Sequence, residues 1–128
     1  MRKAIRFGMA GLLAVGLLTM APAAFAKGGG VKASGKCSAS GVWKLKASTE
    51  DRGRLEVEFQ VDNIKPGQTW DVMLSDNGTA FFSGTKTPAR DAFHVKKRPA
   101  NQAGTDMINA SATNQVTGET CMGSVSIG

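Results

Sequence analysis

The sequence TWDVMLSDNGTAFFSGT, residues 69–85, decides the fold class of this chain. Within it, Asn77-Gly78 stands between two runs in which apolar and polar residues alternate. An Asn-Gly pair suits a two-residue hairpin turn because both central positions need a positive φ. Alternation with a period of two indicates strands that have one buried and one solvated face. The stretch therefore predicts an antiparallel β-hairpin.

A two-residue turn also predicts which side chains of this hairpin share a face. It places Leu74 opposite Phe81, with both side chains in the core. Met73 and Phe82 then meet on the outer face, where two large apolar side chains are candidates for a partner surface or a sheet-to-sheet dimer. The predicted core-facing residues are Trp70, Val72, Leu74 and Phe81.

A second hairpin is predicted just upstream, where two alternating segments flank the polar turn TEDRG. A hairpin centred on Asp51 pairs opposite charges across the two strands, and such pairs stabilise a sheet. It sets Lys46 opposite Glu56 and Lys44 opposite Glu58. The predicted strands are VWKLKAS (42–48) and RLEVEFQVD (54–62).

Three more alternating segments follow, separated by loop-like sequences rich in Gly, Asn and Pro. With a short strand at Cys37, the count reaches seven or eight. This pattern predicts an all-β chain, a single antiparallel two-sheet sandwich of immunoglobulin-like or fibronectin-like type. A small closed barrel is the alternative. The three segments are AFHVKK (92–97), DMINASAT (106–113) and TCMGSVSI (120–127), whose predicted inward residues are Phe93, Val95, Ile108, Ala110, Ala112, Cys121, Val125 and Ile127.

The first 26 residues have the pattern of a secretory signal peptide. Basic residues precede a short apolar run, and Ala24-Phe25-Ala26 provides the small-x-small pattern that precedes cleavage at Lys27. The apolar run is short for a span of about 20 residues, so no transmembrane segment is predicted. The sequence predicts a secreted protein, either extracellular or associated with the cell wall.

Removal of the signal lowers the net charge of +6, because Arg2, Lys3 and Arg6 leave with it and no acidic residue does. The mature chain is only mildly basic, and nucleic acid is not a predicted partner. The remaining chain of about 100 residues suffices for one domain. Residues 27–36 are rich in Gly, Lys and Ser and are interpreted as a flexible leader. The β-sandwich domain is predicted to span residues 37–128.

The chain has two cysteines, Cys37 and Cys121, near the two ends of the predicted domain. In an oxidising compartment, two cysteines allow one intramolecular pairing. We predict a disulfide that joins the first and last strands. A metal or redox site is the alternative, but the chain has one histidine and no Cys-x-x-Cys.

Several segments resemble small, secreted, uncharacterised β-sandwich proteins of actinobacteria. The resemblance lies in CSASGVWKLKAS (37–48), RLEVEFQVD (54–62) and the tail from AGTD (103–106) to TGETC (117–121). It covers residues 37–127 and implies an exported β-sandwich, with no catalytic or binding residues to transfer. Neocarzinostatin-like chromophore carriers and subtilisin inhibitors are similar in size and compartment. Both use two disulfides, whereas this chain can form one.

The sequence contains no recognisable catalytic pattern, and we predict that the protein is not an enzyme and needs no cofactor. His94 lies at an outward strand position, and no Gly-x-Ser-x-Gly or Ser-x-x-Lys motif occurs. Calcium bound by loop aspartates is a weaker hypothesis, because no loop has dense Asp-x-Asp spacing. The aspartates that could converge are Asp62, Asp71, Asp76, Asp91 and Asp106.

The basic run Lys96-Lys97-Arg98 is a second candidate partner surface, beside Met73 and Phe82. It could meet an anionic wall polymer, or it could simply solubilise a strand end and protect an edge. The predicted function is therefore a secreted, non-enzymatic module that binds a cell-envelope component or another exported protein. A freely secreted carrier of a small ligand, or an inhibitor, is the alternative.

Overall fold

The computed structural model describes residues 30–128. They form eight β-strands and a short 3-10 turn at Asp51–Gly53. The predicted signal peptide, 1–26, and residues 27–29 lie outside the described residues. The strands are β1 (Gly30–Lys36), β2 (Val42–Glu50), β3 (Arg54–Asp62), β4 (Trp70–Asp76), β5 (Thr79–Lys86), β6 (Ala92–Lys97), β7 (Asp106–Asn114) and β8 (Thr120–Ile127).

The strands form two antiparallel sheets of four strands each. Sheet 1 has the order β1-β2-β3-β6, and sheet 2 has the order β5-β4-β7-β8. The chain stays in sheet 1 through β3, crosses to sheet 2 for β4 and β5, returns for β6, and crosses again for β7 and β8. The predicted all-β, two-sheet sandwich is confirmed, and no strand pair of the described chain joins the sheets into a closed barrel.

The core lies between the sheets, and its residues follow the predicted alternation. Every second side chain is buried from Trp43 to Ala47 in β2 and from Leu55 to Val61 in β3, and the intervening, mostly charged side chains face water. The predicted inward residues of β6, β7 and β8 are also buried. The largest fully buried side chains are Trp43, Trp70, Phe59, Leu45, Leu55, Leu74, Ile108 and Ile127.

The predicted register of the β2–β3 hairpin is wrong by two residues. Lys46 pairs with Glu58, and Lys44 pairs with Gln60. The hairpin is centred on Arg52, because Arg52 and Gly53 adopt left-handed backbone angles, with φ of 66° and 69°, and turn the chain within three residues. A shift of two leaves every side chain on its predicted face, since the side-chain period of a strand is two.

The Asn77-Gly78 turn is confirmed, with φ of 50° and 88° as a tight hairpin turn requires. The predicted pairing of Leu74 with Phe81 is wrong, because a β-bulge between Leu74 and Ser75 shifts the register and Leu74 pairs with Phe82. A bulge adds one residue to one strand. Phe81 and Phe82 are consequently both half-buried and both pack against the core.

The interpretation of residues 27–36 as a flexible leader is wrong for residues 30–36, which form β1. This strand pairs with β2 along its whole length. Its small side chains suit the position: Val31 is buried, Ala33 packs against the core, and Gly35 lies against the indole ring of Trp43. The composition of residues 30–36 did not indicate a strand, because β1 has few large side chains of its own. It packs instead against the neighbouring Trp43.

Trp43 fills the space between the sheets near the edge formed by β1 and β8. Gly35 of β1 and Gly123 of β8 lie on either side of its indole ring, and a Cβ at position 123 would overlap the six-membered ring. Protein cores are close-packed and absorb little extra volume. Gly123 is therefore required by its contact with Trp43.

We expect Gly123→Ala to lower the free energy of unfolding by about 1–3 kcal/mol, the usual cost of overpacking a core. The measurement is urea denaturation followed by tryptophan fluorescence. Gly30→Ala is the matched control, because a Cβ at Gly30 meets its nearest atoms at an ordinary 3.5 Å. Equal stability of the two variants would contradict this packing.

The predicted disulfide between Cys37 and Cys121 is confirmed. The two Cα atoms lie 4.3 Å apart and join positions separated by 84 residues. Cys37 follows β1 instead of opening the first strand, whereas Cys121 lies in β8 as predicted. The bond therefore fastens sheet 1 to sheet 2 at one edge of the sandwich.

Hydrogen bonds reinforce the disulfide from the loop that follows β1. The Ser38 N–H donates to the carbonyl of Thr120 at 2.8 Å, and the Thr120 N–H donates to Ser38 Oγ at 2.9 Å. The Gly41 N–H donates to Glu119 Oε2 at 2.8 Å. This corner holds the end of β1 against the beginning of β8.

Candidate functional site

The outer faces of the two sheets differ in charge. Sheet 1 carries a ladder of ion pairs, with Lys46 Nζ 3.6 Å from Glu58 Oε1 and Lys44 Nζ 4.0 Å from Asp62 Oδ2. Such exposed pairs contribute little stability individually, but they keep the face strongly hydrated. A partner docking on sheet 1 would have to desolvate these charges.

Sheet 2 presents an outer face with one charged side chain within its described strands, Asp71. The other outward positions carry Ser, Thr, Asn, Ala and Met. We call this surface the Met–Ser face. Its outward residues are Asp71, Met73, Ser75, Ala80, Ser83, Thr85, Met107, Asn109, Ser111, Thr113, Thr120 and Met122, whereas Ser124 and Ser126 point the same way but are buried.

The three methionines of the described chain all lie on the Met–Ser face. The register aligns Met73 on β4, Ser111 on β7 and Met122 on β8 in one row across the strands. Met73 and Met122 are 48% and 49% exposed, and Met107 is 36% exposed. Exposed large apolar side chains on a face almost free of charge are typical of protein contact surfaces.

A shallow depression lies between the two most exposed methionines. It has a volume of about 230 Å³, and Met73 and Met122 border it, with Ser111 and Asn109 among its lining residues. Serine is smaller than methionine, so the row rises at both methionines and dips at Ser111. The Met–Ser face therefore has both projecting side chains and a hollow.

The predicted pairing of Met73 with Phe82 on the outer face is wrong. Phe82 pairs with Leu74, whose side chain is fully buried, so Phe82 points toward the inside of the sandwich. The ammonium of Lys97 lies 4.8 Å from the centroid of the Phe82 ring and covers that ring. Lys97 belongs to β6 and Phe82 to β5, which are edge strands of the two sheets. The bulge causes the difference, because it reverses the faces of the residues that follow it.

The basic run Lys96-Lys97-Arg98 is largely engaged with neighbouring groups. Lys96 Nζ lies 3.4 Å from Glu56 Oε2, and Arg98 Nε lies 3.8 Å from Glu50 Oε1. The ammonium of Lys96, more than any other neighbour, lowers the pKa of the Glu56 carboxyl below its ordinary value. Two of the three basic side chains thus have acidic partners. These partners reduce the positive electrostatic potential that would attract an anionic polymer.

Two aspartates meet at one end of the sandwich, where β4 ends and β7 begins. Asp76 is 5% exposed and Asp106 is 1% exposed. The Gln102 N–H donates to Asp106 Oδ1 at 3.0 Å. Among the described residues, no N–H or hydroxyl donates to either oxygen of Asp76 or to Asp106 Oδ2. Two adjacent buried carboxyls that receive a single hydrogen bond between them are costly to ionise together.

Burial is the first cause that raises the pKa of Asp76, to about 7, and the hydrogen bond and charge of Asp106 add to it. A protonated Asp76 carboxyl is the form that fits this environment. The other aspartates named as calcium candidates are placed elsewhere. Asp62 lies near Lys44, and Asp71 Oδ1 accepts a hydrogen bond from Gln115.

Within residues 30–128, no three His, Cys, Asp or Glu side chains are grouped so that they could hold a metal ion. His94 is exposed on the outer face of sheet 1 and pairs with Gln60, as its predicted outward position requires. In the same part of the chain, no helix has the length and apolar character to cross a membrane.

Comparisons with protein families, with curated proteins and with solved structures found no match for this chain.

Sequence reasoning identified Met73 and missed Met107 and Met122. The signal was present in the alternation, because both methionines occupy the polar phase of their strands, between residues that are buried. Finding the Met–Ser face required the strand order as well, since Met73 and Met122 are brought together only by the placement of β7 between β4 and β8.

Proposed function

We propose that this protein is a secreted, non-enzymatic β-sandwich module that binds another exported protein or a cell-envelope component through its Met–Ser face. The observation that carries this proposal is the exposure of Met73 and Met122 in one row on a face with a single charged residue, Asp71. Burial of such a face releases water from apolar surface and desolvates almost no charge.

The disulfide supports the secreted part of the proposal. Such bonds persist in oxidising compartments and are rare where thiols are kept reduced. The basic n-region, apolar run and Ala24-Phe25-Ala26 motif of the first 26 residues support export by the general route.

The binding surface is tested by affinity capture with the oxidised, isotope-labelled chain from Lys27. The immobilised chain is exposed to the secreted proteins and the solubilised wall fraction of the producing organism, washed at low and high salt, and analysed by mass spectrometry. We expect a partner that survives high salt, because contacts with uncharged surface are little affected by screening. The variant Met73→Lys/Met122→Lys is expected to lose it.

Val116→Lys provides the matched control, because Val116 is 67% exposed in the loop between β7 and β8 and lies outside the strands of the Met–Ser face. It adds a lysine in place of an exposed apolar side chain, as the test variant does, and should retain the partner. Capture that is equal for both variants would contradict the proposal. If the captured partner is released at high salt, the binding surface is instead the basic run Lys96-Lys97-Arg98.

The alternative of a small-ligand carrier has less support. A carrier of the sandwich type needs space for its ligand, and Trp43 and Trp70 are fully buried between the sheets. The larger depressions of the described chain, of about 430 to 590 Å³, are open to solvent at its surface and lined mainly by polar and charged residues such as Glu50, Arg54 and Lys46, whereas ligand pockets are mostly apolar.

The strand order also supports an immunoglobulin-like interpretation of the sandwich. Apart from β1, seven strands remain, three in sheet 1 and four in sheet 2. Immunoglobulin-type domains likewise divide seven antiparallel strands between two sheets with crossing connections. On this interpretation β1 is an additional N-terminal strand that extends sheet 1.

A further inference from the structure

We propose that the occupant of the Met–Ser face is a second copy of this chain, docked across a two-fold axis. This inference rests on the proposed function and names the partner of the same surface. A two-fold interface brings identical patches together, so the patch must be complementary to itself. The charge, the shape and the area of the Met–Ser face bear on this requirement.

Charge restricts which face a basic chain can offer to its own copy. With a formal net charge of +6, or +3 without the signal peptide, two copies repel each other, and self-contact requires a surface without clustered lysines. The outer face of sheet 1 carries Lys32, Lys44, Lys46 and Lys96, and although the last three have acidic partners, docking there would desolvate charges on both copies. The outward positions of β4, β5, β7 and β8 carry no Lys or Arg.

Shape makes the Met–Ser face self-complementary. Each copy presents projecting side chains, Met73 and Met122, and a hollow of about 230 Å³ over Ser111. A cavity of about 150 Å³ accommodates benzene, so the hollow has room for a methionine side chain. In a two-fold arrangement, a methionine of each copy enters the hollow of the other. The flexible thioether chain adapts to such a fit.

The area of the face determines how strong the contact can be. Four strands about 4.8 Å apart, with about seven residues each, form a face of roughly 450 Å². A stable interface buries about 800 Å² on each partner. The Met–Ser face falls short of this, so the dimer should be weak, with a dissociation constant in the micromolar range, about 10–100 µM.

Sedimentation velocity of the oxidised mature chain from about 5 µM to about 1 mM tests the inference. We expect the weight-average mass to rise from that of a monomer to that of a dimer across this range. Met73→Lys/Met122→Lys places four lysines in the two-fold contact and should raise the dissociation constant at least about a hundredfold. Val116→Lys should leave it within about twofold of the wild-type value.

A chain that stays monomeric at about 1 mM would overturn the inference, and so would a dimer unaffected by Met73→Lys/Met122→Lys. Thermal melts of both variants show whether a change in association reflects the surface or the fold. A second variant, Met122→Ser, removes one projecting side chain without adding charge and should weaken the dimer measurably.

The inference and the proposed function can fail separately. If the chain is monomeric but affinity capture yields a different protein that the double lysine variant loses, the second copy is wrong and the binding surface stands. If the chain is monomeric and the double lysine variant captures the same protein as wild type, both the dimer and the binding role of the Met–Ser face are wrong.

Discussion

Replacing Cys37 and Cys121 together by alanine is expected to lower the free energy of unfolding by about 4–5 kcal/mol. The disulfide closes a loop with a sequence separation of 84 residues, and a cross-link of that span removes a large entropy from the unfolded chain. A domain of this size is stabilised by only about 5–15 kcal/mol, so the loss is a large part of the total. Urea denaturation of the oxidised chain and of the double variant measures it.

The sandwich geometry explains why the effect should be global. The disulfide joins the loop after β1 in sheet 1 to β8 in sheet 2, at the corner where Ser38 and Thr120 exchange hydrogen bonds. A reducing agent should destabilise the wild-type chain by a similar amount and leave the alanine variant unchanged. A loss below about 1 kcal/mol would show that the bond is incidental to the fold.

The free energy of unfolding is expected to fall as the pH rises from about 4 to about 7, because Asp76 binds its proton more tightly in the folded chain. Its pKa is raised from 3.8 to about 7 by burial and by Asp106. A raised folded-state pKa stabilises the fold below the unfolded pKa, and this contribution is lost as the pH approaches the folded pKa. The loss is up to about 4 kcal/mol.

Asp76→Asn isolates this effect, because asparagine keeps the size of the side chain and cannot ionise. Its amide can donate to the carboxylate of Asp106, whose Oδ2 receives no hydrogen bond from an N–H or hydroxyl of the described chain. We expect the variant to be more stable than wild type at pH 8 and to lack the decline between pH 4 and 7. The measurement is urea denaturation across this range.

Asp71→Asn is the control for this experiment, because it makes the same chemical change at an exposed position on sheet 2. Its stability should follow the wild-type profile. If Asp76→Asn and wild type show parallel profiles from pH 4 to 8, the folded chain does not hold a proton on Asp76 in this range, and the interpretation of a raised Asp76 pKa is wrong.

Much of the sandwich could be predicted because β2 to β8 each carry a signal in their own sequence. The alternation in β3 and the Asn77-Gly78 turn depend only on neighbouring residues, and both are confirmed. The disulfide followed from a count of two cysteines. The local sequence pattern and the number of cysteines were therefore sufficient to predict the fold class and the disulfide that closes the domain.

The errors arose where the outcome depends on contacts between distant segments or on exact turn geometry. β1 was missed because its stability comes from Trp43 and from pairing with β2. The β2–β3 register depended on whether the turn is centred on Asp51 or on Arg52. The bulge, which leaves Phe81 of β5 without a partner and turns Phe82 inward, has one sign in the sequence, the adjacent pair Phe81-Phe82 that interrupts the alternation of β5.

The candidate site was predictable only in part for the same reason. Met73 stood out in the quoted hairpin, but its neighbour across the sheet, Met122, is 49 positions away in the chain and two strands away in sheet 2. The convergence of Asp76 with Asp106 also depends on the pairing of β4 with β7.

The binding role of the Met–Ser face is tested most directly by methyl NMR of the mature chain labelled with ¹³C at methionine. Its three methionines are Met73, Met107 and Met122, all of which lie on this face, so each signal reports on it. Spectra of the dilute labelled chain are compared before and after addition of unlabelled chain or of a captured partner. We predict that the Met73 and Met122 signals shift or broaden on binding. Binding that leaves both signals unchanged would contradict this role for the Met–Ser face.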